Sequence, residues 1–288
     1  MKDVTMAMVS LTSRPAEPAE NLERHVPWLA AAKAEDATLC CFPEMSVTGF
    51  CFDYGRHFRA AEPIGGESTA RMVELAAEYD LRIGFGMASR DERDIVRNTY
   101  IFVSAEGVLG TYSKTHIPIL EYGVETPGHE FSVVNLGDVR IGVNICFDNW
   151  FAEAGRLSYL NGAEVILAPF WMGSSHADTE EKTREAFDYW RQLATINFPA
   201  VAWQNGVYHV TINSCGGVHE KGVDYEGPPI IFVFNPLGEL EVDTSPDARG
   251  ERMVVHALRA TTLVERRSQS HFHPKYRRPE IYSDLSRL

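Results

Sequence analysis

Two hydrophobic periods alternate along the chain. Short apolar runs bounded by Gly, Pro or charged residues read as strands: VTMAMVSL at 4–11, ATLCCFPE at 37–44, LRIGFGMAS at 81–89, NTYIFVS at 98–104 and VLGTYSK at 108–114. FSVVNL (131–136), VRIGVNIC (139–146), AEVILAPF (163–170), AVAWQNG (200–206), IIFVFN (230–235) and RMVVHAL (252–258) follow in the same manner. The helical period appears in Leu22, Val26, Leu29, Ala30 and Lys33, where Pro27 must occupy the first turn or kink the helix. It returns from about Gly66 to Tyr79, after Cys146, and from about Thr179 to Asn197. Helices between early strands, with hairpins in the middle and at the end, predict an α/β chain with a mixed sheet.

No internal repeat is evident, and no GxGxxG or GxxxxGK[ST] follows a strand, which disfavours a doubly wound nucleotide fold. One domain over 1–261 is expected. From 262 to 288 the chain turns basic and aromatic, a tail expected to wrap over its own domain or a neighbouring subunit.

Composition narrows the function classes. With 288 residues, 44% hydrophobic and 23% charged, the chain can bury a large core. A formal net charge of −13, spread along the whole length, excludes an extended phosphate-binding surface and so argues against nucleic acid. Apolar runs fall short of the roughly 18 residues that span a bilayer, so no membrane role and a cytoplasmic location are expected. Cys40, Cys41, Cys51, Cys146 and Cys215 are odd in number and lack CxxC spacing, which predicts free thiols rather than disulfides or zinc. The two histidines of HFH (271–273) lack acidic or thiol companions, and no metal or other cofactor is implied.

Three strand ends carry candidate chemistry. In IGVNICFDNW (141–150) Cys146 ends an apolar strand just before a helical segment, where backbone N–H groups favour a thiolate and can hold an oxyanion. The same position also suits an inert buried thiol. Asp148 serves either the helix start or catalysis. Glu44 lies beyond Pro43 at one strand end, and Lys114 at another. Each alone reads as an ordinary loop residue, but together they supply a base, a cation and a nucleophile. His116 is the best placed of the ten histidines, as a local hydrogen-bonding residue or a support to the site.

The ordered set FPE, YSKTHIP and NICFD resembles the nitrilase superfamily of carbon-nitrogen hydrolases. TPG (126–128), CFDNWFAEAGR, NGAEVILAPF and RRPEIY extend the likeness over nearly the whole chain. The resemblance implies a four-layer α-β-β-α sandwich with mixed sheets and Glu44, Lys114 and Cys146 as the catalytic set. It adds a second glutamate before the PG turn, which Glu121 matches better than Glu125 or Glu130. The Phe147 backbone N–H is the implied oxyanion donor, and His116, Asn149, Trp150 and Trp171 are candidates for contact with substrate. Departures from the family pattern occur at Phe50, Ala152 and the residue before Asn197, none of them in the catalytic set. The implied activity is hydrolysis of a small linear amide or N-carbamoyl compound through a cysteine thioester, by a homodimer or larger homo-oligomer. CFD in place of Cys-Trp-Glu argues against nitriles. Nitrile hydrolysis and a catalytically silent scaffold of the same fold are the alternatives.

Overall fold

The computed structural model describes residues 1–173, 180–220, 223–245 and 250–286. Its first sheet contains β1 (Val4–Ser10), β2 (Leu39–Cys41), β3 (Arg82–Arg90), β4 (Val96–Ser104), β5 (Gly107–Ser113) and the late strand β14 (Arg252–Leu258), in the order β14-β1-β2-β3-β4-β5. The second contains β6 (Val133–Asn135), β7 (Arg140–Val143), β8 (Val165–Phe170), β9 (Tyr208–Asn213), β12 (Ile231–Phe234) and β13 (Leu240–Asp243), in the order β13-β12-β9-β8-β7-β6. A separate hairpin joins β10 (Gly216–Glu220) to β11 (Val223–Gly227). Each large sheet is mixed. β1, β2 and β3 are parallel, as are β7, β8 and β9, with antiparallel strands on either side.

The period of two decides which face each residue takes. Met6 and Met8 of β1 enter the layer between the sheets with Tyr100, Phe102, Ile141, Val143, Leu167, Val210 and Val233. Ala7 and Val9 face the other way, onto α1 (Pro18–Ala34) and α3 (Glu67–Tyr79), through Leu29, Ala32, Met72 and Leu75. On the far side, α5 (Glu180–Asn205) packs Trp190, Ala194, Phe198 and Ala202 against Phe170, Phe232 and Phe234. With α4 (Ala152–Leu160) on that same side, the molecule is the α-β-β-α sandwich that the resemblance implied. The short α2 (Tyr54–Ala60) and α6 (Ala260–Ser268) complete the set of helices used below. None of the described helices is long and apolar enough to cross a membrane.

One element differs from expectation. AVAWQNG is not a strand but the end of α5, which runs through Pro199 to Asn205 and stops at Gly206 with φ 59°. The buried positions Trp190, Ala194, Phe198 and Ala202 recur every four residues, so helical packing overrides the local β preference of Val201 and Trp203. The strand falls one segment later, at β9. Of the two placements open to Pro27, the one inside α1 is found. The expected start of the long helix at Thr179 lies outside the described residues.

Candidate active site

Three strand ends deliver the site. Beyond β2 the chain continues through Phe42 and Pro43 to Glu44, then turns at Met45, whose φ is 54°. Gly86 of β3 lets this turn lie against the sheet, because a Cβ there would collide with Met45 N and crowd the Pro43 carbonyl. Val47 N donates to Gly86 O at 3.0 Å and closes the turn. Lys114 directly follows β5; its N donates to Asn98 O at 2.9 Å, and its carbonyl accepts from Gly128 N at 2.7 Å. Gly128, the glycine of TPG, thereby pins the strand end at a spot where a Cβ would collide with Ser113 O.

Cys146 opens a 3-10 turn, Cys146–Trp150, after β7. Its φ of 45° is left-handed, an arrangement that costs a non-glycine residue about 1–3 kcal/mol and is maintained only by its surroundings. Those surroundings are visible. Asn149 Nδ2 donates to Asn144 O at 2.7 Å and to Cys146 O at 3.0 Å, and its Oδ1 lies 3.2 Å from His209 Nε2. Asp148 is fully buried and accepts from Ile145 N, Tyr112 Oη, Thr115 Oγ1 and His116 N at 2.8–3.0 Å.

The side chains converge. Lys114 Nζ donates to Glu44 Oε1 at 2.8 Å and to Glu121 Oε2 at 2.6 Å, with all three residues buried. Glu44 also accepts from Asn98 Nδ2 at 2.7 Å and from Trp171 N at 2.6 Å. The Cys146 side chain lies beside Glu44, Lys114 and Glu121. Burial and the Glu44 charge raise this thiol well above its ordinary range, against the pull of Lys114. Burial also opposes the Lys114 charge, but Glu44, Cys146 and Glu121 outweigh it and hold the amine firmly protonated. Glu121 is pushed up to about 7, first by burial and then by Glu44, with Lys114 opposing.

Of the other sequence candidates, Trp171 stacks on Phe50 with ring centroids 4.9 Å apart and sends its N–H to Glu44. His116 stacks on Phe151 at 3.9 Å and places Nδ1 2.7 Å from Asp148 Oδ1. Trp150 packs toward Phe198 and Phe170, and the Asn149 amide is committed to backbone carbonyls. Phe147 is the second residue of the Cys146 turn. Two residues near the carboxylates were not singled out by residue type or spacing: Asn98, in mid-sheet, and His57, on α2. Among the described residues, no group of three or more His, Cys, Asp or Glu is arranged to hold a metal ion.

Known proteins share this architecture. A profile of the carbon-nitrogen hydrolase family matches residues 5–263. A nitrilase of Pyrococcus abyssi is 29% identical over 231 residues, covering 79% of this chain and 80% of that one. An N-carbamoylputrescine amidase of Arabidopsis thaliana is 28% identical over 246 residues, covering 79% and 76%. The crystal structure of a carbon-nitrogen hydrolase from Helicobacter pylori superposes with a TM-score of 0.83 at 21% identity over 99% of both chains, which establishes the shared fold. The profile spans every strand end that converges here, and the chain belongs to the carbon-nitrogen hydrolase family.

Proposed function

We propose that the protein hydrolyses small linear amides or N-carbamoyl compounds, with Glu44, Lys114, Glu121 and Cys146 as the catalytic residues. The observation that carries this reading is Lys114 held between Glu44 and Glu121 at 2.8 and 2.6 Å, with the Cys146 side chain beside them. Glu44 takes the thiol proton and the sulfur attacks the carbonyl carbon. The oxyanion that forms meets the Lys114 ammonium and the Phe147 N–H; one such donor is worth about 3–4 kcal/mol. Glu44 returns its proton to the departing ammonia or amine, leaving a thioester on Cys146. Water, losing a proton to Glu44, then displaces the sulfur and frees the acid.

Ammonia is the product from primary amides, and carbon dioxide accompanies it from carbamoyl substrates. Three acidic side chains, Glu44, Glu121 and Glu125, gather around one lysine and favour a neutral or cationic substrate. Arg191, a conceivable partner for a substrate carboxylate, is engaged by Asp243 and Ser245 at 2.6 Å each. The name of the Arabidopsis relative agrees with a cationic carbamoyl compound. We also propose that the enzyme works in the cytoplasm as a homodimer or larger homo-oligomer, with residues 1–261 as the catalytic domain. The exposed Leu157 and Leu160 of α4 and Tyr189 and Ile196 of α5 support self-association, which sedimentation velocity tests.

The deciding experiment is a panel of amides, ureido compounds and nitriles scored for ammonia, with Cys146→Ala as the blank. Ammonia from amides or ureido compounds, absent in the variant, supports the assignment. Ammonia from nitriles alone favours nitrile hydrolysis. Equal activity in the Cys146→Ala variant overturns the cysteine mechanism.

A further inference from the structure

Behind the Lys114 pocket lies a polar cluster that the mechanism above does not use. Glu125 is buried, with its side chain wholly out of solvent. Its carboxylate neighbours Glu121 and Glu44 share the single ammonium of Lys114. Among the described residues Glu125 has no cation in direct contact; the basic group beside it is His57, whose Nε2 is 3.6 Å from Oε1. Burial lowers His57 to about 4, so that imidazole is neutral near pH 7 and cannot balance a charge. Both Glu125 oxygens, both His57 ring nitrogens and Asn98 Oδ1 are buried without a close hydrogen-bond partner among the described residues. Glu121 and Asn98 are the polar side chains that act on Glu125 besides Lys114 and Glu44.

An ionised carboxylate left in such a place is far more costly than a neutral acid. A neutral acid, moreover, brings one donor, and the carboxylate that acts on it most strongly is Glu121. Resting on the proposed catalytic role of Glu121, we propose that Glu125 is a positioning residue: it carries the one proton shared by the Glu121–Glu125 pair and donates it in a hydrogen bond to Glu121. Glu121 thereby remains the carboxylate that grips Lys114 and faces the reacting amide. The groups facing the pair are Lys114, Glu44, Cys146 and His57, with Asn98 as the neutral neighbour. Of these only Lys114 is a cation near pH 7. Three carboxyls against one ammonium leave a shared proton as the economical way to limit the buried charge.

Two measurements on the full-length protein test this. Infrared difference spectra between the parent and Glu125→Gln near pH 7 read the carbonyl stretch of a protonated buried carboxyl without any turnover. The expected result is such a band in the parent and its loss in the variant; a parent lacking the band overturns the proposal. The second measurement is the acid limb of kcat/KM on a hydrolysed amide. In Glu125→Leu the limb moves to higher pH by roughly one unit, because Glu121 loses a donor to its charged form. In Glu125→Gln, whose amide also donates, the limb keeps its parent position. Were Glu125 ionised, both variants would move the limb to lower pH, and an unmoved limb in Glu125→Leu would leave only a packing role; either result overturns the proposal. Should Glu125→Leu fail to fold, the infrared band and the Glu125→Gln limb still decide. Because the infrared arm needs no substrate, it separates failure of this inference from failure of the amidase assignment.

Discussion

Asp148 reaches from the Cys146 turn to His116, where its Oδ1 accepts from the His116 backbone N–H at 2.9 Å. The same carboxylate takes Thr115 Oγ1 and Tyr112 Oη on that side and Ile145 N on its own. One buried anion thus ties the segment carrying Lys114 to the segment carrying Cys146.

Asp148→Ala leaves several buried donors unpaired and is expected to cost about 2–4 kcal/mol of stability. The Cys146 sulfur shifts relative to Lys114, and kcat falls roughly 100-fold even where the protein stays folded. Urea titration and turnover on the same preparation check both effects. A fully active variant would show that the tie does not position the nucleophile.

Gly86→Ala directs a methyl group at the backbone of the Glu44 turn. The expected cost is about 1–3 kcal/mol, as for other overpacked interiors, with kcat/KM reduced because Glu44 is displaced. The thermal midpoint and kcat/KM of Gly86→Ala against the parent check both effects, and an unchanged kcat/KM would show that this turn does not set the position of Glu44.

Lys114→Ala strands Glu44 and Glu121 as buried acids without a cation. Removing one partner of such a cluster costs about 3–5 kcal/mol, and the oxyanion loses its charged donor. Carboxyls that have taken up protons tolerate burial, so the loss of stability is larger at pH 8 than at pH 5. Denaturant midpoints at the two pH values test the sign, and an equal loss at both would rule out charge burial as its cause.

Among the described residues, burial depresses the three buried histidines: His25 and His57 to about 4 and His209 to about 3. Each stays neutral in the folded protein and has an ordinary value near 6.5 when unfolded, so protons favour the unfolded chain. Their contribution is complete above about pH 6.5 and declines as pH falls toward 4. Glu121, raised to about 7, acts in the opposite sense, favouring the fold when protonated. The comparison of His209→Gln with the parent isolates the histidine share: the variant shows the shallower loss of stability between pH 6.5 and 4, read by urea denaturation.

Local patterns account for much of this structure. The strand that delivers Cys146 and the alternation Met6, Ala7, Met8, Val9 follow from a period of two, because each face of a strand meets a different layer. Glu44 and Lys114 stood out because each follows an apolar run at a break in the pattern. Their convergence was a matter of resemblance, since contacts between residues 70 positions apart leave no local trace. The end of α5 was misread because Val201 and Trp203 favour a strand locally, while the four-residue spacing of its buried face emerges only against Phe170 and Phe232. Asn98 and His57 escaped notice for a related reason. A polar residue within a strand or on a short helix declares no role until its neighbours are known.

Glu44 and Lys114 come from the first sheet, whereas Cys146 comes from the second. A chain with either half unassembled therefore lacks the full set of proposed catalytic groups, however well formed that half is. Recovery of turnover during refolding should be among the last events, later than the return of secondary structure. On the proposed mechanism, newly made chains thereby keep the sulfur apart from its base and its cation until the molecule has closed.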